Sequence, residues 1–397
     1  MSDNLILLII LHCLCKVVIT LIYLDQAATT KPLDSILETI KPYIEENYHN
    51  PSSIYNAGVK VKKDIETVRQ NVANLIGANS NEIYFTSGSC ESNNWIVRGF
   101  DDANFQDEPV IITTPIEHKS IINAIYNPVL RSDIHFCKVD SQGFVDMDSL
   151  EDLLRLCTEH PILVSVIMVN NEIGTIQNIK KISELVHSYG GILHTDATQA
   201  LKYIPINVKE MGIDMLSASA QKLGGLKGTG FLYKRNNIKL SPLIYGEQEN
   251  QYRGGTENVI GIIALGEAIK YIDYNRQSEI IYLRNYFIDE LKKLGCTVNG
   301  SMDFRLPNNI NVTFLQDISA ESLIYLLDMC GIMVSSGSAC NSHSIEPSYV
   351  LKAIGLTDEE ANKSIRITIP DNITMEVIDK VIYEITKQII LLSSEEN

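Results

Sequence analysis

Asp214-Met215-Leu216-Ser217-Ala218-Ser219-Ala220-Gln221-Lys222-Leu223-Gly224-Gly225-Leu226-Lys227-Gly228-Thr229-Gly230-Phe231-Leu232-Tyr233 is the stretch on which the fold turns. It reads as a short strand, a run of small residues holding Lys222, several glycines and a second strand. Small residues on both sides of the lysine let the backbone crowd close to a bound molecule. A lysine held there between rigid strands, partly stripped of water, has a lowered pKa and becomes a usable amine nucleophile. Alone, the pattern fits a surface lysine in a turn better. The rest of the chain decides its meaning.

Upstream of this stretch the pattern is strand, turn, helix, repeated. Strands are expected at 82–86, 110–113, 162–169 and 191–195. Helices are expected at 37–48, 59–75, 91–99, 121–131, 147–156 and 182–189, where apolar residues recur at helical spacing. Such alternation argues for an α/β protein with a mostly parallel sheet covered on both faces. Ligands of these sheets gather at the carboxyl ends of the strands. The polar motifs fall there: Glu117-His118, Asn170-Asn171-Glu172 and Asp196-Ala197-Thr198-Gln199. The turn Ser87-Gly88-Ser89-Cys90 opens a helix, and backbone N–H groups at a helix start suit an anion, although many such turns bind nothing.

Downstream, a long helical region runs from about 260 to 294, and the pattern then becomes α+β. Strands are expected at 309–314, 332–335 and 364–369, and helices at 319–328, 347–354 and 375–392. We therefore divide the chain into an apolar extension (1–22), a large domain (23–265) whose first residues pack with the small one, and a small α+β domain (266–397).

The net charge of −16 argues against direct contact with nucleic acid, which needs a basic face. Eight cysteines are spread without a Cys-x-x-Cys pair, so neither a disulfide framework nor a metal site is expected, and reduced thiols in the cytoplasm are the simplest reading. Leu5 to Leu11 and Val17 to Ile22 are apolar and together long enough for a membrane span. Lys16 near the centre would cost about 3 kcal/mol there. Met1-Ser2-Asp3-Asn4 lacks the positive start of a secretory signal. Membrane contact by 5–22 is thus the less favoured reading.

The strand-end residues together suit pyridoxal phosphate. Lys222 can condense with its aldehyde. Asp196 can pair with the pyridinium nitrogen and keep the ring protonated, or simply cap a helix. His118 can stack on the ring and move protons, or be an ordinary buried histidine. Gln199 and Asn171 can reach the ring oxygen, or satisfy a loop.

The chain resembles the cysteine desulfurases of the NifS and IscS type, in the class V aminotransferase group. The resemblance is carried by Tyr23-Leu24-Asp25 with Ala27-Ala28-Thr29-Thr30, Phe85-Thr86-Ser87-Gly88, Glu117-His118-Lys119, Val169-Asn170-Asn171-Glu172-Ile173-Gly174 and Asp196-Ala197-Thr198-Gln199. Arg253-Gly254-Gly255-Thr256 and Ser335-Ser336-Gly337-Ser338-Ala339-Cys340 complete it. The resemblance implies fold type I of the pyridoxal-phosphate transferases, with a mostly parallel seven-stranded sheet covered by helices. It implies Lys222 as the Schiff-base lysine, Asp196 on the ring nitrogen, His118 as the stacking acid–base residue, and Gln199 and Asn171 on the ring oxygen. Ser89, Cys90, Ser219 and Gln221 would hold the phosphate. Thr256 would reach the partner's cofactor in a homodimer. Asn50 and Arg366 would clamp the carboxylate of L-cysteine. Cys340, on a run of small residues, would take the sulfur as a persulfide and pass it to an acceptor, an iron–sulfur scaffold or a tRNA-thiolation enzyme.

The chain departs from the family pattern at three places. Gln221 replaces the usual histidine before the lysine, and Cys90 replaces a threonine, a better donor. The tail that docks a scaffold in some members is short here. Two alternatives are a selenocysteine lyase or related pyridoxal-phosphate lyase, and a catalytically weak homologue acting as a binding subunit.

Overall fold

The computed structural model describes residues 21–336 and 346–394. Cys340 and nearly all of the apolar extension lie outside them. None of the described helices is long and apolar enough to cross a membrane.

The strands are β1 (Ile22–Tyr23), β2 (Ile83–Thr86), β3 (Val110–Thr113), β4 (Asp133–Phe136), β5 (Ile162–Ser165), β6 (Ile192–Asp196), β7 (Met215–Ser219), β8 (Gly230–Lys234), β9 (Cys296–Val298), β10 (Asn309–Phe314), β11 (Ile332–Met333) and β12 (Ser364–Thr368). Seven of them form one sheet in the order β2-β8-β7-β6-β5-β3-β4. Its pairings are parallel except the two made by β8. β12-β10-β9 is a separate antiparallel sheet, and β1 pairs with β11. The α/β fold with its seven-stranded, mostly parallel sheet is the one the sequence suggested.

Side chains alternate across the large sheet, as the pleat requires. Phe85, Ile112, Val164, Leu216 and Phe231 enter one core. Their neighbours Tyr84, Ile111, Leu163, Met215 and Leu232 enter another. The second core is closed by Trp95 and Phe100 of the helix Ser89–Asn104 and by Ile121 and Ala124 of the helix Lys119–Ile125. The first takes Val61, Ile65 and Val72 of the helix Asn56–Ile76 and Ile179, Ile182 and Val186 of the helix Ile179–Ser188. With both faces covered, β2, β3, β5 and β7 are buried at every residue.

Three local expectations are corrected. The strand expected at 162–169 ends at Ser165, because the Ile167 N–H turns to the Glu117 carboxylate at 2.9 Å. The helix expected at 121–131 stops at Ile125, just before Asn127-Pro128, where the residue ahead of proline avoids helical geometry. The region after 260 is two helices, Val259–Ala268 and Gln277–Lys293, separated by short 3-10 turns, the second opened by the Asp273 side chain. β4, an edge strand of four residues, alternates Asp133-Ile134-His135-Phe136, a short period-2 pattern that the sequence reading passed over.

Candidate active site

Lys222 ends a single 3-10 turn, Ala220–Lys222, directly after β7. β7 and β8 are antiparallel with Ser219 opposite Gly230, so the lysine sits in a connection clamped at both ends. Its ammonium is held by the carbonyls of Ala27 and Ala28. The Gln199 amide donates to the same Ala27 carbonyl at 3.0 Å. The Thr30 hydroxyl donates to the Gln221 carbonyl at 2.7 Å, and the Thr29 hydroxyl reaches Gln221 Oε1 at 3.4 Å. Segment 27–30 thus cradles the lysine. The Gln221 side chain, expected to donate its amide N–H to the phosphate, accepts from this segment through its oxygen.

The anion turn lies alongside. Gly230 of β8 abuts Gly88, and a Cβ at Gly230 would fall 2.6 Å from the Gly88 Cα, so no side chain fits there. A Cβ on Gly88 would sit 3.6 Å from Ser219 Oγ, which puts the serine beside the start of the helix carrying Ser89 and Cys90. Desolvation, and then the Asp196 and Glu91 carboxylates, push the Cys90 thiol above its ordinary pKa, so it stays a neutral, weak donor. Glu91 accepts the Ser87 N–H at 2.9 Å and is gripped by Arg253 at 2.9 and 3.1 Å. That grip ties the turn to the loop bearing exposed Thr256. A small cleft, lined in part by Thr86, Ser87, Arg253 and Gly255, opens between them.

Asp196 ends β6 and is buried. It accepts the Thr198 N–H at 2.9 Å and the Asn93 side-chain amide at 2.7 Å. His118 precedes the helix Lys119–Ile125 and caps it, its Nδ1 accepting the Ser120 N–H at 3.2 Å. Burial lowers the His118 pKa; Asp196 opposes this, and Lys222 and Lys119 add to it. Its neighbour Glu117 is fully buried, and desolvation raises its pKa to about 8 despite donors from Thr114 and Ile167.

Arg366 lies on β12 and is buried. Its Nη2 donates to Asp25 Oδ1 at 2.7 Å and its Nη1 to the Asn171 carbonyl at 3.2 Å. Its buried Nε has no hydrogen-bond partner among the described residues. Asn171 therefore meets Arg366 through its backbone. Asn50 is exposed, and its side-chain oxygen accepts the Ser52 N–H at 2.8 Å; no contact joins it to Arg366 among the described residues.

The residue set fits pyridoxal phosphate: an amine on Lys222, a buried carboxylate on Asp196, and a helix start with Ser219 beside it for the phosphate. Among the described residues no group of three or more His, Cys, Asp or Glu side chains could hold a metal. Sequence reading missed Asp25 as the partner of Arg366, and it missed Asn93, Ser120 and the buried state of Glu117. Asp25 and Glu117 stood in the quoted motifs. What each would touch was not written there.

Residues 22–381 match the aminotransferase class-V family. The chain belongs to that family. Within it, the chain is 43% identical to the cysteine desulfurase IscS of Dictyoglomus turgidum over 91% of its own length and 94% of that protein. A solved NifS-like protein superposes with a TM-score of 0.86 at 32% identity, covering 94% of this chain and all of that one. The structure of SspA in complex with cysteine gives a TM-score of 0.79 at 32% identity, covering 89% of this chain and 99% of that one. The class-V fold is thus shared along most of the chain, and the relatives place it among the cysteine desulfurases of the NifS and IscS type.

Proposed function

We propose that the chain converts L-cysteine to L-alanine and takes the sulfur as a persulfide on Cys340. The observation that carries this is the meeting of Lys222, Gln199 and the Ala27 carbonyl beside the Asp196–His118 cluster, in a member of this family. Pyridoxal phosphate, when bound, supplies the electron sink for bond breaking at the substrate. Lys222 would be its covalent anchor, Asp196 would pair with the ring nitrogen, and Gln199 and Asn171 would hold the ring oxygen. Ser89, Cys90, Ser219 and Gln221 would hold the phosphate, with Thr256 from the partner of a homodimer. Arg366 binds the substrate carboxylate, together with Asn50 once the 50–53 turn rearranges, and a planar guanidinium suits that group. The Cys340 thiolate attacks the substrate sulfur, the Cβ–S bond breaks, and the carbon gains a proton, with His118 as acid–base group. The sum is L-cysteine plus a cysteine thiol giving L-alanine plus a persulfide, balanced in atoms and electrons. An acceptor protein for iron–sulfur assembly or tRNA thiolation then takes the sulfur in the cytoplasm.

The test is equimolar alanine and sulfide from L-cysteine with a reductant. Cys340→Ser should stay yellow, change its spectrum with L-cysteine and form no persulfide. Cys137→Ser and Cys296→Ser should turn over like the parent. Burial pushes those two thiols up to about 11 and about 12, so neither supplies a thiolate at neutral pH. Sulfide release by Cys340→Ser at the parent's rate would overturn the assignment.

A further inference from the structure

We propose that Asn93 and Ser120 are positioning residues that fix His118 as the neutral imidazole with its proton on Nε2. The inference rests on the desulfurase reading for its consequence, and on hydrogen-bond geometry for its substance. Asn93 is fully buried on the helix Ser89–Asn104. Its Nδ2 lies 2.7 Å from Asp196 Oδ2 and 2.8 Å from Ser120 Oγ. An ionised carboxylate only accepts, so the nitrogen and not the oxygen of the amide must face Asp196. Both amide hydrogens are then committed, one to Asp196 and one to Ser120.

The Ser120 hydroxyl, accepting from Asn93, has its own hydrogen left for His118 Nδ1 at 2.8 Å. The Ser120 backbone N–H reaches the same Nδ1 at 3.2 Å, and a backbone N–H can only donate. Two donors from one residue therefore meet Nδ1. A proton on Nδ1 would clash with the fixed backbone N–H and turn the hydroxyl hydrogen away, so the ring carries its proton on Nε2, and any proton that His118 takes up or gives passes through Nε2.

The arrangement does not look like a choice for stability. Asn93 Oδ1 is buried and has no hydrogen-bond partner among the described residues, a state that costs roughly 1–3 kcal/mol. A leucine of similar size would avoid that cost. What the amide does at this position is bridge Asp196 to Ser120, and through it to His118. The other charged groups facing His118 are Lys222 and Lys119.

The experiment is a long-range 15N–1H spectrum of the histidine rings in full-length, cofactor-loaded protein at pH 7, with the His118 signals assigned by their loss in His118→Gln. The parent should show an acceptor-type Nδ1 and a protonated Nε2. Ser120→Thr, which keeps the hydroxyl, should show the same pattern. Ser120→Ala should move the Nδ1 signal toward the tautomer average, and Asn93→Leu should move it in the same direction. Turnover in Asn93→Leu should fall on the order of tenfold, a fraction of the ~10²–10⁴-fold that general acid–base catalysis supplies. A parent spectrum with the proton on Nδ1 would overturn the proposal. So would an unchanged His118 pattern in folded Asn93→Leu and Ser120→Ala. A parent with the Nε2 proton but no sulfide release would instead sink the desulfurase reading, because the spectrum does not depend on turnover.

Discussion

At the carboxyl ends of the large sheet, Asp196, Asn93, Ser120 and His118 satisfy one another within one layer of the fold. At the seam between β12 and the first residues of the described chain, Arg366 meets Asp25 across 341 positions of sequence and keeps a buried Nε unpartnered. The first region is closed on the donor side: both amide hydrogens of Asn93 and the Ser120 hydroxyl are spent, and what is left over among the described residues is an acceptor, Asn93 Oδ1. The second is open: a cation is held by one carboxylate and one carbonyl with donor capacity to spare. A closed network suits groups that must keep one protonation state and one orientation. A buried cation with a spare donor suits a group waiting for a ligand.

Arg284 and Arg305 show that burial alone does not make an arginine such a site. Both are buried, yet Arg284 donates to the Arg305 and Leu306 carbonyls, and Arg305 donates to the Ser301 and Asn299 carbonyls and to Asn309. Burial lowers the pKa of Arg284 to about 10 and of Arg305 to about 9. They pin loops, and what sets Arg366 apart is its carboxylate partner and its unused donor.

The largest expected effect breaks the closed region at its amine. Lys222→Ala should fold, lose the borohydride-sensitive visible band, and lose about 10⁴-fold or more in turnover, since only an amine at that point can condense with the aldehyde. A variant that kept the band would show the anchor to be elsewhere.

A smaller effect concerns the buried acid beside the closed region. The Glu117 pKa is raised to about 8 in the folded protein, against about 4.5 when unfolded. Below pH 4.5 both states bind the proton and the group is neutral in the balance. Between about 4.5 and 8 only the folded state keeps it, so the unfolded state is favoured increasingly as pH rises. Glu117→Gln, which copies the protonated carboxyl, removes this dependence. Chemical denaturation at pH 5 and pH 8 should show the variant gaining on the parent by on the order of 3 kcal/mol at the higher pH. A difference that does not change with pH would mean that Glu117 is ionised in the fold.

The smallest effect tests the open region. Arg366→Lys should keep the visible band and a kcat within a few-fold of the parent, while KM for L-cysteine rises about tenfold, because a lysine cannot offer two parallel donors. An unchanged KM would remove Arg366 from substrate binding and make its bond to Asp25 purely structural.

The sequence by itself determined the α/β class, the strand-end placement of Lys222, Asp196 and His118, and the family. These follow from local pattern: buried parallel strands read as apolar runs, small residues mark close backbone approach, and polar motifs just after strands mark a ligand edge. Edge strand β4 was passed over because the alternation Asp133-Ile134-His135-Phe136 is only four residues long, and the early end of β5 was hidden because one side chain, Glu117, captured the Ile167 N–H. Only the tertiary structure decided that Asp25 faces Arg366, that segment 27–30 cradles Lys222, and that Asn93 links Asp196 to Ser120. Hydrogen-bond partners depend on which chain ends meet in space, and periodicity carries no information on contacts so far apart in sequence.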